Sequence, residues 1–325
     1  MKTSPLSQVA SSIVSALPRT HVHKDAGVAS AAPATGEGVA LVLEGGGMRG
    51  MFTAGVIDVL LREGLGHAFS HVWGVSAGAI NGANFMAGHD GRFCRDVLAF
   101  RDNPEFMSVR SLVTTGDMVG RDFLYNRINN EFDPFDYAAF NANPIPFTVV
   151  ATDVMYGSAA YLEVASLPQD MNAIVASASL PLVSEFVEYQ GRNYLDGGPS
   201  CSIPVEAALA HGDANRALVV LTRERSYVKT SPSVPMGLAR RRYKEQPLLI
   251  EALQTRPERY NAQRAAAFEL EQAGSAVVIA PPTPVNLPTL PSSGTPLLEL
   301  YVQGRAACEA ELGNIKALLG STGGN

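Results

Sequence analysis

Two glycine-rich segments, each set between an apolar run and a helical pattern, constrain this chain most. Val39-Ala40-Leu41-Val42-Leu43 is a continuous apolar run fit for a buried parallel strand, and it ends in Gly45-Gly46-Gly47-Met48-Arg49-Gly50. Phe52, Val56, Val59 and Leu60 then fall at i, i+4, i+7 and i+8, a helical face, with Gly64 near its end. A second strand, His71-Val72-Trp73, runs into Gly74-Val75-Ser76-Ala77-Gly78, and a helix of small residues follows from Ala77 to Ala87.

Farther along, strands are expected at Pro146–Thr152, Ala159–Val164, Ala217–Thr222 and Ser275–Ala280, and a hairpin over Phe186–Leu195. Helices are expected at Asp170–Ser179, at 247–274 and at Leu297–Leu319, with mixed helix and loop from 91 to 140. Strands alternating with helices imply an α/β fold: a three-layer α/β/α sandwich with a mostly parallel central sheet. Residues 1–37, rich in Ser, Ala, Pro and Thr, read as a flexible N-terminal arm.

Composition narrows the class. With 325 residues, 46% hydrophobic and 17% charged, the chain is globular with a large core. A net charge of −6 argues against nucleic acid as a partner. Cys94, Cys201 and Cys308 are far apart and show no metal-ligand spacing, so free thiols in a reducing compartment are expected. No apolar run approaches the ~20 residues needed to span a bilayer. The Val9–Leu17 stretch is interrupted by serines and makes a poor secretory signal. The expected location is cytoplasmic, with peripheral contact at a membrane surface.

Ser76 lies at a G-x-S-x-G spacing between a strand and a helix. Such an elbow forces a tight turn that exposes the hydroxyl as a nucleophile; the alternative is an ordinary glycine-rich turn. In the Gly45–Gly50 loop, backbone amides converge where a helix begins, a cradle for a phosphate or a transient oxyanion. Arg49 would fix this loop through a salt bridge or add positive potential. Gly45-x-Gly47-x-x-Gly50 also fits a dinucleotide fingerprint, but the next strand runs into Gly74–Gly78 with no carboxylate for a ribose. A Walker phosphate loop is absent.

Only six histidines are available as a base for Ser76. His21 and His23 lie in the arm, His71 and His89 at element ends, and His211 at a surface cap, so a His-containing triad is poorly supported. Asp196 ends a strand before Gly197-Gly198; by itself such an aspartate is most often a turn residue.

Taken in order, Gly45–Gly50, Gly74–Gly78 and Asp196-Gly197-Gly198 resemble the three signature blocks of the patatin-like phospholipase family. Ala176–Pro181 is similar to the family's stretch before its aspartate. The resemblance covers residues 39–225 well. It implies a single hydrolase domain over 38–320, with a C-terminal helical extension from 226. It also implies a Ser–Asp dyad with Ser76 as nucleophile and Asp196 as base, and an oxyanion hole from the amides of Gly45, Gly46, Gly47 and Met48. Arg49, Gly74, Gly78, Gly197 and Gly198 would support it. No cofactor or metal is expected. The implied substrate is a lipid acyl ester, and the alternative is a non-catalytic lipid or nucleotide binder using the glycine loop as an anion cradle. D-G-G replaces the family's commoner D-G-A. Arg240-Arg241-Arg242-Tyr243-Lys244, with Arg223, Arg225 and Lys229, would meet anionic headgroups or simply be solvated. Phe100, Phe106, Met107 and Leu112 would line an acyl groove or pack in the core. Cys201 reads as a small core residue.

Overall fold

The strands anticipated from apolar runs assemble into one sheet in a computed structural model that describes residues 38–287 and 293–320. The arm at 1–37 and the middle of the proline-rich loop lie outside the described residues. The strands are β1 (Val39–Leu43), β2 (His71–Val75), β3 (Phe147–Asp153), β4 (Ala159–Glu163), β5 (Val187–Tyr189), β6 (Arg192–Asp196), β7 (Arg216–Val220) and β8 (Ala276–Ile279). Their order is β5-β6-β3-β2-β1-β7-β8, with β4 also on β3. Pairings from β3 through β2, β1 and β7 to β8 are parallel, whereas β4, β5 and β6 join antiparallel.

Strand periodicity divides the core into two layers. Leu41, Leu43, Leu218, Val220 and Ile279 face helices Gly50–Arg62, Ala77–Met86 and Thr295–Gly320. Ala40, Val42, Trp73, Ala217, Val219 and Val278 face helices Val205–Ala210 and Arg256–Gln272. Helices on both faces of a mostly parallel sheet are the three-layer arrangement expected. The central strands β1, β2 and β3 are buried along their whole length, which is why they read as unbroken apolar runs.

Two local readings change. The helix expected over 247–274 is two, Pro247–Gln254 and Arg256–Gln272. Pro257 cannot continue a helix from upstream but is tolerated in a first turn, so a new helix starts at Arg256. The basic run at 240–242 is the last turn of helix Met236–Arg242, where cations suit the helix dipole. Cys94, Cys201 and Cys308 are buried free thiols, as expected. Among the described residues, no helix is long and apolar enough to cross a membrane.

The C-terminal helix Thr295–Gly320 lies on helix Gly50–Arg62, the helix that begins at the glycine loop. The two backbones approach so closely that a Cβ on Gly55 would stand 2.2 Å from the Tyr301 carbonyl oxygen, and one on Gly304 2.1 Å from that of Phe52. The Tyr301 hydroxyl donates to Asp58 Oδ2 at 2.8 Å across the same interface. Gly304→Val should therefore lower stability by roughly 2 kcal/mol or more by forcing the helices apart. Urea denaturation checks this; an unchanged midpoint would show that the helix pair is not close-packed.

Candidate active site

The site is built where two strands end against one. The last residue of β2, Val75, pairs with Val150 of β3, and the last residue of β6, Asp196, pairs with the adjacent Ala151. Since β4 occupies the other edge of β3 at both positions, β2 and β6 share an edge and meet head-on. Ser76 follows Val75 directly. The topology thus brings Ser76 and Asp196 together from 120 positions apart in sequence (196 − 76).

Ser76 has φ 56° and ψ −123°, a backbone conformation that L-residues seldom adopt and that costs on the order of 1–3 kcal/mol. The turn is held from several sides. A Cβ on Gly78 would lie 2.3 Å from the Leu43 carbonyl oxygen, and one on Gly74 2.7 Å from that of Gly78, so the serine elbow is pressed against β1 and its own helix. The Ser76 amide donates to Ser177 Oγ at 2.9 Å, and Ser177 Oγ donates to the Val150 carbonyl at 2.6 Å. Two residues on, the Ser179 carbonyl accepts from the Asp196 amide at 2.7 Å. The segment 177–179 therefore ties both candidate residues to one support.

Asp196 is buried. Its Oδ1 accepts from the Gly198 amide at 2.7 Å, and its backbone carbonyl accepts from Thr152 Oγ1 at 2.7 Å. Burial pushes the carboxyl above the ordinary carboxylate range; the Ser76 hydroxyl, the Gly198 amide and the Arg256 guanidinium favour the charged form and oppose that rise. Oδ2 is buried without a well-formed hydrogen bond. Gly197 fits closely over β3, where a Cβ would lie 2.3 Å from the Val150 carbonyl oxygen.

The glycine loop arches over the elbow: a Cβ on Gly45 would lie 3.0 Å from that of Ser76. Gly47, at φ 55°, opens a 3-10 turn, Gly47–Arg49, that leads into helix Gly50–Arg62. Among the described residues, the amides of Gly45, Gly46, Gly47 and Met48 donate to no protein acceptor. Below the loop, the buried Glu44 carboxylate accepts from the Thr222 amide at 2.6 Å and the Tyr260 hydroxyl at 2.7 Å. Arg49 makes no ion pair among the described residues; burial, and then Arg223, lower its proton affinity.

Two cavities meet at Ser76. One, of about 100 Å³, is lined by Met48, Ile80, Phe93, Phe106, Met107 and other largely apolar residues. Of the four expected groove residues, Phe106 and Met107 line it. Phe100 instead meets Phe123 edge-on and Phe132 at a tilt, and Leu112 is not in the lining. The other cavity, of about 440 Å³, is polar and holds the glycine loop, Asp196, Arg223, Lys229, Arg256 and Tyr260. Sequence reasoning missed Ser177, Glu44, Arg256 and Tyr260.

Among the described residues, no histidine lines either cavity at Ser76. His71 contacts Asp213 and Thr148 at 2.9 Å each, His211 contacts Asp213 at 2.7 Å, and His89 accepts from the Asp136 amide. Of the basic stretch, Arg225 pairs with Glu271 and Arg242 with Glu185, while Arg223 and Lys229 reach the polar cavity. Cys201 packs with Val75 and Val150, as a small core residue.

The family model described as patatin-like phospholipase covers residues 41–209. This chain belongs to the patatin-like phospholipase family. A second model, a domain of unknown function (DUF6363), covers 246–320, which includes the helix packed on Gly50–Arg62. Among relatives of this patatin-like chain, the uncharacterized protein YjjU of Escherichia coli K12 is 30% identical over 198 residues, 60% of this chain and 54% of the relative. An uncharacterized NTE family protein of Mycobacterium tuberculosis is 28% identical over 182 residues, 56% of this chain and 48% of the relative. The chain spans about half the length of these curated relatives. The crystal structure of VipD from Legionella pneumophila aligns with a TM-score of 0.49 and 11% identity, over 96% of this chain and 73% of that one.

Ser177→Ala would strand the Ser76 amide and the Val150 carbonyl, both buried. The expected result is a loss of roughly 2–5 kcal/mol in stability, measured by chemical denaturation. A neutral outcome would show that the elbow holds without this support.

Proposed function

We propose that this protein is a serine lipid acyl hydrolase of the phospholipase or lysophospholipase type, working through a Ser76–Asp196 dyad. The observation that carries the reading is the head-on meeting of β2 and β6 on β3, which sets Ser76 beside a buried carboxylate and under unpaired amides. The strained elbow and the apolar cavity opening at the same serine support it further.

In the proposed cycle Ser76 Oγ attacks the acyl carbonyl carbon as its proton passes to the Asp196 carboxylate. A hydroxyl is a poor nucleophile without such a base. The carbonyl oxygen becomes an oxyanion cradled by the Gly45–Met48 amides, where one lost donor typically costs ~10²–10³ in rate. The intermediate collapses as the alcohol leaves with the proton held by Asp196, and the acyl group stays on Ser76. Water then gives a proton to Asp196 and attacks the acyl-serine, and the second collapse releases the fatty acid and restores Ser76. Burial of Asp196 suits this role: a carboxylate raised above its usual range is a stronger base. The apolar cavity is where the acyl chain would lie.

Ser76→Ala and Asp196→Asn should each reduce hydrolysis of a p-nitrophenyl acyl ester by about 10³-fold or more while the circular dichroism spectrum is unchanged. Substantial turnover by Asp196→Asn would rule out the dyad. The pH profile gives an independent check. Asp196 must be ionised to act, and its pKa is raised, so activity should be lost as pH falls through a limb above the ordinary carboxylate value of about 4. A limb at or below that value would mean that another group is the base.

A further inference from the structure

We propose that the polar cavity beside Ser76 recognises a phosphate-bearing anionic head, so that acyl esters with an anionic headgroup are preferred over zwitterionic or uncharged ones. This rests on Ser76 as the reacting residue and adds the chemistry of the group joined to the acyl ester.

Four cations line the cavity: Arg49 from the glycine loop, Arg223 after β7, Lys229 from the following loop and Arg256 from the start of a helix. Two carboxylates face them, Glu44 and Asp196. Four positive against two negative groups leaves a net charge of +2 with Lys229 protonated. Glu44 is further committed to Thr222 and Tyr260, and Asp196 Oδ1 to Gly198. Among the described residues, none of the four cations is in an ion pair, although Arg225 and Arg242, close in sequence, both are.

The cations act on one another. Burial and the nearby Arg256, Arg49 and Arg223 bring the Lys229 ammonium down to about 8. The Nε atoms of Arg49 and Arg256 are both buried with no protein acceptor, though most buried donors are paired. Clustered, unneutralised cations in a concave site focus positive potential, and guanidinium forks with an ammonium are the usual donors to phosphate oxygens.

The donors are also held in place. The Lys229 amide donates to Asn261 Oδ1 and Asn261 Nδ2 donates back to the Lys229 carbonyl, each at 2.9 Å. Arg256 Nη1 donates to Ser233 Oγ at 2.6 Å. A choline head is disfavoured twice over. Its charge matches the surplus already present, and the ring faces that would hold it are taken: Arg223 lies 4.6 Å from the centroid of Tyr227, and Lys229 5.5 Å from that of Tyr260.

Two experiments on the full chain test this. Calorimetry with folded Ser76→Ala protein should show binding of glycerol 3-phosphate but not of glycerol or glycerophosphocholine. Arg223→Gln and Lys229→Gln should each weaken that binding about tenfold, and Lys229→Arg should keep it. In turnover by the wild-type chain, lysophosphatidic acid should have a KM at least tenfold below those of lysophosphatidylcholine and monoacylglycerol with the same acyl chain. Arg223→Gln should erase this difference between the three heads. Equal KM values for the three heads, with p-nitrophenyl butyrate still hydrolysed, would overturn the inference and leave the hydrolase reading intact. Binding of inorganic phosphate as tight as glycerol 3-phosphate, with no headgroup preference, would also overturn it, as a free-phosphate site. If glycerol 3-phosphate binds but no ester is turned over, the anion site stands and the hydrolase reading falls.

Discussion

The site depends on β3 offering one edge to two strands. β2 runs parallel to β3 and stops at Val150; β6 runs antiparallel and stops at Ala151. Two chain ends are therefore aimed at one point, and each is capped by a residue with chemistry to offer. In the proposed dyad the sheet would supply the alignment that a third side chain gives in a triad. The cost is local: Ser76 takes a strained backbone, and Asp196 is buried with one oxygen lacking a well-formed hydrogen bond. The surrounding β1, glycine loop and 177–179 segment hold both in place.

The fold links this point to the rest of the molecule. Helix Gly50–Arg62 begins at the glycine loop and is covered by helix Thr295–Gly320 through the Gly55 and Gly304 contacts. Helix Arg256–Gln272 brings Tyr260 to Glu44 and Arg256 to the cavity beside Asp196. The segment after residue 226 is thus part of the wall of the site as well as of the core. The two cavities at Ser76 divide the space by polarity, narrow and apolar on one side, wide and cationic on the other. The proposed substrate, an amphipathic ester, would lie across the serine along that division.

Much of this was legible in the sequence because buried parallel strands and glycine turns are local signals. β1, β2, β3, β7 and the glycine segments were readable from apolar runs and from residues that only tight turns require. The position of Asp196 at a strand end was readable too, but its role came from resemblance. Its nearness to Ser76 is set by strand order, which no local pattern encodes. Ser177 belongs to the Ala176–Pro181 stretch, but its support of the Ser76 amide is not legible there, since a serine that holds a backbone amide looks like any other small residue. Arg256 was hidden because 247–274 reads as one helix until the effect of Pro257 is weighed. Arg223 and Lys229 were noticed as charge, and only the folded loop separates them from the ion-paired Arg225 and Arg242.

The proposed chemistry requires that the Ser76 hydroxyl be activated in the folded protein. The most direct test is a fluorophosphonate probe, followed by intact-protein and peptide mass spectrometry. One adduct per chain, located on Ser76 and lost in Asp196→Asn, is the result this account predicts. An adduct on another residue, or no adduct on folded protein with or without lipid vesicles, would contradict it.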